Sequence, residues 1–342
     1  MKGRVIALGQ LGAVEAAALM EDGRLLDLIL DSDAPRPGTI YRAVADRPVK
    51  GQGGMFLRTP DGVAFLRQVK GLSAGKPLLV QVTGYAEPGK AIPVTTRVLF
   101  KSRYAIVTPG KPGINVSRSV ADDDRCDALT LLGKTGMQGV DAAGLILRSA
   151  AADAQDEDVT DDITHMAALA QAVLGDAEKG APDKLVEGAG PYDLAWREWP
   201  EPDIFDDSDA AFETHGVLDA VDALKNAGAS LEGGVHIYVE PTRALVAVDV
   251  NTGRDTSPAA GVKANIAAAR ELPRQLRLRG LGGQVVMDLA PMPKKDRRAF
   301  ESALRGAFRK DQVETTLVGF TPLGHYELQR KRDRVPLHEV SR

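Results

Sequence analysis

The sequence predicts a mixed α/β (α+β) multidomain chain, with a small β-barrel of OB type inserted into an α/β core. Three observations carry this expectation. The length of 342 residues exceeds one domain, and 44% hydrophobic content with only 5% aromatics provides for a large aliphatic core. Residues 243–292 read as strand, helix, strand, the pattern of a βαβ unit with parallel strands. Residues 38–96 hold short β-rich runs broken by glycine and proline, as small barrels do.

Residues 1–37 read as a short α/β piece, with a strand from Arg4 to Leu8, a helical Ala-rich stretch, a strand Arg24–Leu30 and a Pro-rich linker. In residues 38–96, Gly54-Met-Phe-Leu-Arg58 and Val63-Ala-Phe-Leu-Arg67 flank Thr-Pro-Asp-Gly, a hairpin signal, since Pro presets one turn position and Gly accepts positive φ. Tyr41, Phe56 and Phe65, with Lys50, Arg58, Arg67 and Lys90 nearby, are candidates for a base-stacking face ringed by cations. Residues 97–175 return to α/β patterning. Within them Gly144-Leu-Ile-Leu-Arg-Ser149 is an apolar strand ending in a cation and a hydroxyl, a pair able to hold a phosphate or simply to meet an Asp. Leu132-Gly-Lys-Thr-Gly136 echoes a P-loop, but Ala128 stands where its first glycine belongs, so no nucleotide site is expected there.

Charge is segregated along the chain. The net charge of −4 divides into +8 for residues 1–120, −20 for residues 121–242 and +8 for residues 243–342, so either end could hold a polyanion. A single cysteine, Cys126, excludes a disulfide framework and any zinc cluster built on cysteine pairs within the chain. The five histidines show no ligand spacing. No signal peptide or spanning helix is expected, and the composition suits a cytosolic chain.

The strongest chemical signal lies in residues 243–292. The strand Ala244-Leu-Val-Ala-Val-Asp-Val-Asn251 places Asp249 and Asn251 on one face, two residues apart. A helix over Lys263–Arg279, stopped by Gly280, leads to the strand Gln284-Val-Val-Met-Asp288. Parallel strands bring both C-terminal ends to one edge, so Asp249 and Asp288 converge there as an all-oxygen site suited to Mg²⁺ or Mn²⁺. Beyond it, a helix opening at Pro293 carries Lys294, Lys295, Arg297, Arg298, Arg305 and Arg309 around an apolar face of Phe300, Leu304, Ala307 and Phe308.

Asp249-Val-Asn251, Asn265, Gln275-Leu-Arg-Leu-Arg-Gly-Leu-Gly-Gly283, Val286-Met-Asp288 and Gly324-His-Tyr-Glu327 with Arg330 and Arg332 together resemble the RNase E/G family of bacterial endoribonucleases. The resemblance covers most of residues 2–335. It implies an RNase H-like part (1–37), an S1 domain (38–96), a 5′-sensor-like domain (97–175), a reduced second RNase H-like part (176–230), a DNase I-like catalytic domain (231–335) and a tail (336–342). It also implies cleavage of single-stranded RNA with Mg²⁺ on Asp249 and Asp288, Asn251 orienting the site, and RNA contacts at Phe56, Phe65 and Lys90. Arg148 and Ser149, with Arg118 nearby, match the family's pocket for a 5′-monophosphate, Ser replacing Thr. The family's Cys-Pro-x-Cys zinc link and small C-terminal domain have no counterpart here, and Glu314 falls near the place of a family arginine. No zinc and no zinc-linked tetramer are therefore expected. The alternative is an RNA-binding protein of the same fold with little cleavage activity; retention of Asp249, Asn251 and Asp288 together favours the enzyme, and a DNA-directed nuclease ranks third.

Overall fold

The computed structural model describes residues 3–49, 53–68, 71–140, 142–177 and 180–340. Lys50, one of the cations expected near the stacking face, lies outside the described residues. The chain divides into two compact units, Met1–Ser32 with Pro202–Arg342, and Asp33–Glu201. The architecture is mixed α/β, with several sheets and one closed five-stranded barrel.

In chain order the strands of the first sheet are β1 (Arg4–Leu11), β2 (Val14–Glu21) and β3 (Arg24–Leu30). The Ala-rich stretch expected to be helical is therefore the strand β2, paired antiparallel with β1 and β3. Two turn signals override alanine's helical preference: Gly12 (φ +64°) before it, and Asp22 (φ 49°) with Gly23 (φ +77°) after it, a hairpin pair with both residues left-handed. Ala16, Ala17 and Ala18 are wholly buried, so their small size suits a strand covered on both faces.

The second unit begins with the barrel: β4 (Ile40–Val49), β5 (Gly54–Thr59), β6 (Gly62–Leu66), β7 (Pro77–Val82) and β8 (Ile92–Thr95), ordered β4-β5-β6-β8-β7 and closed by β4 on β7. Its core is Met55, Leu57, Ala64, Leu66, Val80, Val82 and neighbours, the inward half of each alternating strand. A separate sheet follows, formed by β9 (Phe100–Lys101), β10 (Ala105–Pro109), β11 (Gly113–Val116) and β12 (Ala143–Leu147). Helices α1 (Asp123–Gly136) and α2 (Asp156–Gly175) pack with it around Leu129, Leu145, Leu147 and Ile163. The P-loop-like residues 132–136 lie inside α1, where no phosphate-cradling loop exists. The unit ends with β13 (Asp183–Val186), which pairs with β4, and helix α3 (Pro191–Glu198).

The chain re-enters the first unit at β14 (Ile204–Asp206), parallel to β1, and passes through α4 (Ala211–Thr214) and α5 (Val217–Leu224). The remaining elements are β15 (Gly228–Ser230), β16 (His236–Pro241), β17 (Val246–Asn251), α6 (Ala260–Leu278), β18 (Gly283–Asp288), α7 (Arg297–Arg309), β19 (Thr315–Phe320), β20 (Tyr326–Arg330) and α8 (Leu337–Val340). Their six-stranded sheet runs β15-β16-β17-β18-β20-β19, and β17–β18 is its parallel pair. The helices α6 and α7 cover one face of this sheet through Leu272, Leu276, Phe300 and Leu304.

Helix α6 starts three residues earlier than expected and stops at Gly280. There the Leu281 amide donates to the Leu276 carbonyl at 2.8 Å and the Gly280 amide to that of Arg277 at 3.0 Å, a Schellman closure that requires the positive φ of Gly280. The N-terminal sheet is fixed to α6 by Arg274, whose Nε donates to Leu25 at 2.7 Å, and by Arg277, which donates to Leu26 at 2.9 Å.

Candidate metal and RNA sites

Strand alternation aims the two carboxylates. In β17, Val246, Val248 and Val250 are buried while Asp249 and Asn251 are exposed; in β18, Val285 and Met287 are buried while Asp288 is exposed. The parallel register pairs Val248 with Met287 and Asp249 with Asp288. Both acids therefore stand side by side on the face that α6 and α7 leave open, on strands about 4.8 Å apart. Asn251 donates from Nδ2 to Asp249 Oδ2 at 2.7 Å, so these two side chains do share one direction.

The loop after Asp288 is fixed from within. Asn265, wholly buried in α6, donates to the Ala290 carbonyl at 2.8 Å and accepts from the Ala290 amide at 3.0 Å. A Cβ on Gly261 would come within 1.9 Å of the Pro291 carbonyl, so α6 can approach this loop only with glycine there. Together they hold the strand end that carries Asp288.

Three neighbours were given no role at this site by the sequence reading. His325 lies with Nδ1 at 3.2 Å from Asp288 Oδ1. Tyr238, on β16, is the register partner of Asp249 and is 44% exposed, and His236 is the partner of Asn251. The alternation His236-Ile-Tyr-Val-Glu240 could have marked Tyr238 as outward-facing, but only the hairpin register sets it beside Asp249. His325 belongs to the Gly324-His-Tyr-Glu327 stretch that carried the family resemblance, but no sequence spacing placed it beside Asp288.

Among the described residues no group of three or more His, Cys, Asp or Glu side chains is placed to hold a metal. The donor set is thus two carboxylates with an amide beside them. That fits Mg²⁺ or Mn²⁺, which take one or two carboxylates and complete their shells with water and substrate oxygens.

On the barrel, Phe56 and Phe65 are cross-strand partners on the outer face, half-buried, with ring centroids 5.4 Å apart. A Cβ on Gly54 would lie 2.4 Å from the Phe65 ring, which rests over that glycine. Arg47, which the sequence did not single out, places its guanidinium 5.2 Å from the Phe56 ring centroid. Arg58 and Arg67 are exposed, and Lys90 is exposed with its ammonium 2.7 Å from Glu87. Tyr41 departs from expectation: it is wholly buried in the barrel and not on the stacking face. Its hydroxyl donates to Asp61 at 2.5 Å, and burial together with Asp61 pushes its pKa up. A buried tyrosine needs such a partner, and Asp61, held in turn by Lys184 at 2.8 Å, supplies it.

Arg148 and Ser149 stand at the end of β12 as expected, with Ser149 and Arg118 exposed. The Arg148 guanidinium, however, is already engaged. It donates to the carbonyls of Ser102 (2.6 Å), Arg103 (3.2 Å) and Arg197 (3.2 Å) and to Glu198 Oε2 at 2.6 Å. Lys101 meets the same carboxyl at 2.7 Å, as does Arg197. Burial pushes Glu198 up, but Lys101, Arg148 and Arg197 outweigh it and hold the carboxyl at about 2. Lys101 itself is pushed down by burial, with Glu198 opposing. Three cations thus surround one carboxylate. This arrangement was invisible in the sequence because Glu198 arrives from α3, fifty positions away.

The sequence profile of the Ribonuclease E/G family matches residues 100–205 and 201–333, well over half of the chain. The chain belongs to the Ribonuclease E/G family. It is 26% identical over 391 aligned positions to Ribonuclease G of Salmonella typhimurium (strain SL1344), covering 94% of this chain and 78% of that protein. Ribonuclease G of Escherichia coli (strain K12) is 25% identical with the same coverage. Ribonuclease E of Escherichia coli (strain K12) is 25% identical over 312 positions, covering 79% of this chain and 29% of that much longer protein. For a Ribonuclease E/G member, the closed barrel fits an S1-like domain. Among the described residues no helix is long and apolar enough to cross a membrane.

Proposed function

We infer that this chain is a metal-dependent endoribonuclease that cleaves single-stranded RNA in RNA processing or decay. The observation that carries the reading is the register of Asp249 with Asp288 on the open face of a sheet whose other face is a packed core. Family membership supplies the substrate class, since the relatives are ribonucleases. Asp249 and Asp288 would hold Mg²⁺ or Mn²⁺, and Asn251 keeps Asp249 oriented. A metal so bound supplies Lewis acidity at the scissile phosphate and lowers the pKa of its water. The protein supplies two fixed charges on the open face of the sheet, and Tyr238 offers an exposed ring beside them. Incubating a single-stranded RNA with the protein in Mg²⁺ and in EDTA tests this. Cuts that require the metal support the enzyme; binding without cuts supports the alternative, an RNA-binding protein of the same fold.

The barrel would hold RNA by stacking bases on Phe56 and Phe65, with Lys90 and Arg47 beside them. Base–aromatic stacking is worth about 1–3 kcal/mol per base. Phe56→Ala or Phe65→Ala is therefore expected to weaken single-stranded RNA binding by about tenfold or more, with thermal stability nearly unchanged. Equal affinity in fluorescence-anisotropy titrations would remove the stacking role.

Recognition of a 5′-monophosphate by Arg148, Ser149 and Arg118 has one feature in its favour, the surplus of positive charge around Glu198, and one against it, the four acceptors Arg148 already serves. A phosphate here would add to the cluster at Ser149 and Arg118 or displace Glu198. Rates on one RNA carrying either a 5′-monophosphate or a 5′-hydroxyl decide the matter. A preference that disappears in Arg148→Ala, with internal cleavage retained, supports this role; equal rates in the wild type remove it.

A further inference from the structure

We propose that the outer face of α7 is a second RNA-binding surface, one that grips the phosphate backbone at a place separate from the carboxylate site. This rests on the reading of the chain as a protein that acts on RNA. Arg298, Ser302, Arg305 and Arg309 follow one another at helical spacings of four, three and four, so they form a single exposed stripe about 16 Å long. Lys294 and Lys295 continue it in the 3₁₀ turn that precedes the helix. The opposite side, Phe300, Leu304 and Phe308, is buried against the sheet.

Many cations elsewhere in the molecule are tied to acids. Arg24, Arg42, Arg125, Arg148, Arg277 and Arg330 each have a carboxylate partner. Among the described residues none of Lys294, Lys295, Arg298, Arg305 and Arg309 has one. Lys294 with Arg298, and Arg305 with Arg309, are like-charge i,i+4 pairs, each unfavourable by a few tenths of a kcal/mol in an isolated helix. A chain of net charge −4 has acids enough to relieve that repulsion, yet α7 carries a single acid, the half-buried Glu301 beside the stripe, and among the described residues it forms no ion pair with these cations. Alongside the stripe, a groove of about 520 Å³ runs between α6 and α7. Its floor includes Pro273, Ala303 and Gly306, and Arg270 and Lys310 line it without ion-pair partners among the described residues. The one acid in the groove, Asp311, is already bonded to Arg277 and Arg330.

The chemistry selects the occupant. None of the exposed large hydrophobic residues of the molecule lies on α6 or α7, so this face lacks the apolar and aromatic anchors of a protein interface. It equally lacks rings for base stacking. Arginines alone read phosphate, so binding here is independent of base sequence and strongly dependent on salt. Because α7 covers the buried face of the sheet and Asp249 and Asp288 point from the open one, this surface lies behind the carboxylate site.

The test is a salt series of affinity for an unstructured 30-nucleotide RNA, in EDTA so that no cleavage intervenes. Each phosphate contact contributes about 0.7 to the slope of log affinity against log salt for single strands. The triple variant Arg298→Gln/Arg305→Gln/Arg309→Gln is expected to flatten that slope by about 2 and to weaken binding most at low salt. The matching triple lysine variant should keep the wild-type slope, and both should melt with the wild type. An unchanged slope in the glutamine variant, with tight wild-type binding, overturns the proposal and leaves the functional reading standing. A wild type that binds no RNA overturns both.

Discussion

Asp249→Asn and Asp288→Asn are each expected to lower metal-dependent RNA cleavage by about a thousandfold or more while leaving the fold intact. A thousandfold corresponds to about 4 kcal/mol of transition-state stabilisation, which is the scale of Lewis-acid catalysis by a bound metal. Asp249 and Asp288 form the paired carboxylates of this edge among the described residues, so removal of either charge halves the anionic donor set. The two positions are exposed strand-end residues, so the substitution disturbs no packing. Asn251→Ala acts through Asp249 and has a smaller expected effect, about ten- to a hundredfold. The comparison uses initial rates on one single-stranded RNA across a Mg²⁺ series. Wild-type rates in either aspartate variant would place the chemistry elsewhere.

Asp311→Ala is expected to destabilise the Met1–Ser32/Pro202–Arg342 unit by about 3–5 kcal/mol, the scale measured when one partner of a buried ion pair is removed. Asp311 has a fully buried side chain that accepts from Arg330 at 2.6 Å and is also bonded to Arg277. The Arg330 side chain is only 1% exposed, with Thr315 Oγ1 at 2.9 Å as its other partner. Burial pushes the Arg330 guanidinium pKa down while Asp311 opposes it. Removing Asp311 leaves this buried cation with one neutral oxygen as its hydrogen-bond partner, and Asp333 then acts on it without an ion-pair contact. Arg277 retains Asp27 at 3.2 Å, so the loss falls chiefly on Arg330. Urea unfolding of variant and wild type checks this, and a difference below about 1 kcal/mol would mean that water or a rearranged side chain replaces the carboxylate.

These two sites show what the sequence could and could not reveal. The βαβ unit was legible because its strands are short apolar runs ending in Asp, and because Gly280 closes the helix between them. Convergence of Asp249 and Asp288 then followed from handedness and alternation alone. The barrel was legible from its turn residues, and Phe56 and Phe65 from their places either side of Thr-Pro-Asp-Gly. Three readings turned on long-range partners that composition does not encode. β2 has the composition of a helix, and pairing on both sides, set by the Asp22-Gly23 turn, made it a strand. Tyr41 looked like part of a stacking face, but its place in the strand points it into the barrel towards Asp61. Arg148 could be read as holding a phosphate or meeting an acid, and which acid it meets, Glu198 from a distant helix, was set by the fold. Arg330, one of the residues that carried the family resemblance, proved to be a buried structural cation. Charge segregation was visible from the start, whereas the absence of partners along α7 required the structure.

Whether the two acids on neighbouring strands grip one divalent ion is tested without RNA or turnover by direct titration of Mn²⁺, followed by its paramagnetic resonance signal. One bound Mn²⁺ per wild-type chain, displaced by Mg²⁺, is expected, with at least tenfold weaker binding in both Asp249→Asn and Asp288→Asn. Undiminished Mn²⁺ binding in the two variants would contradict it.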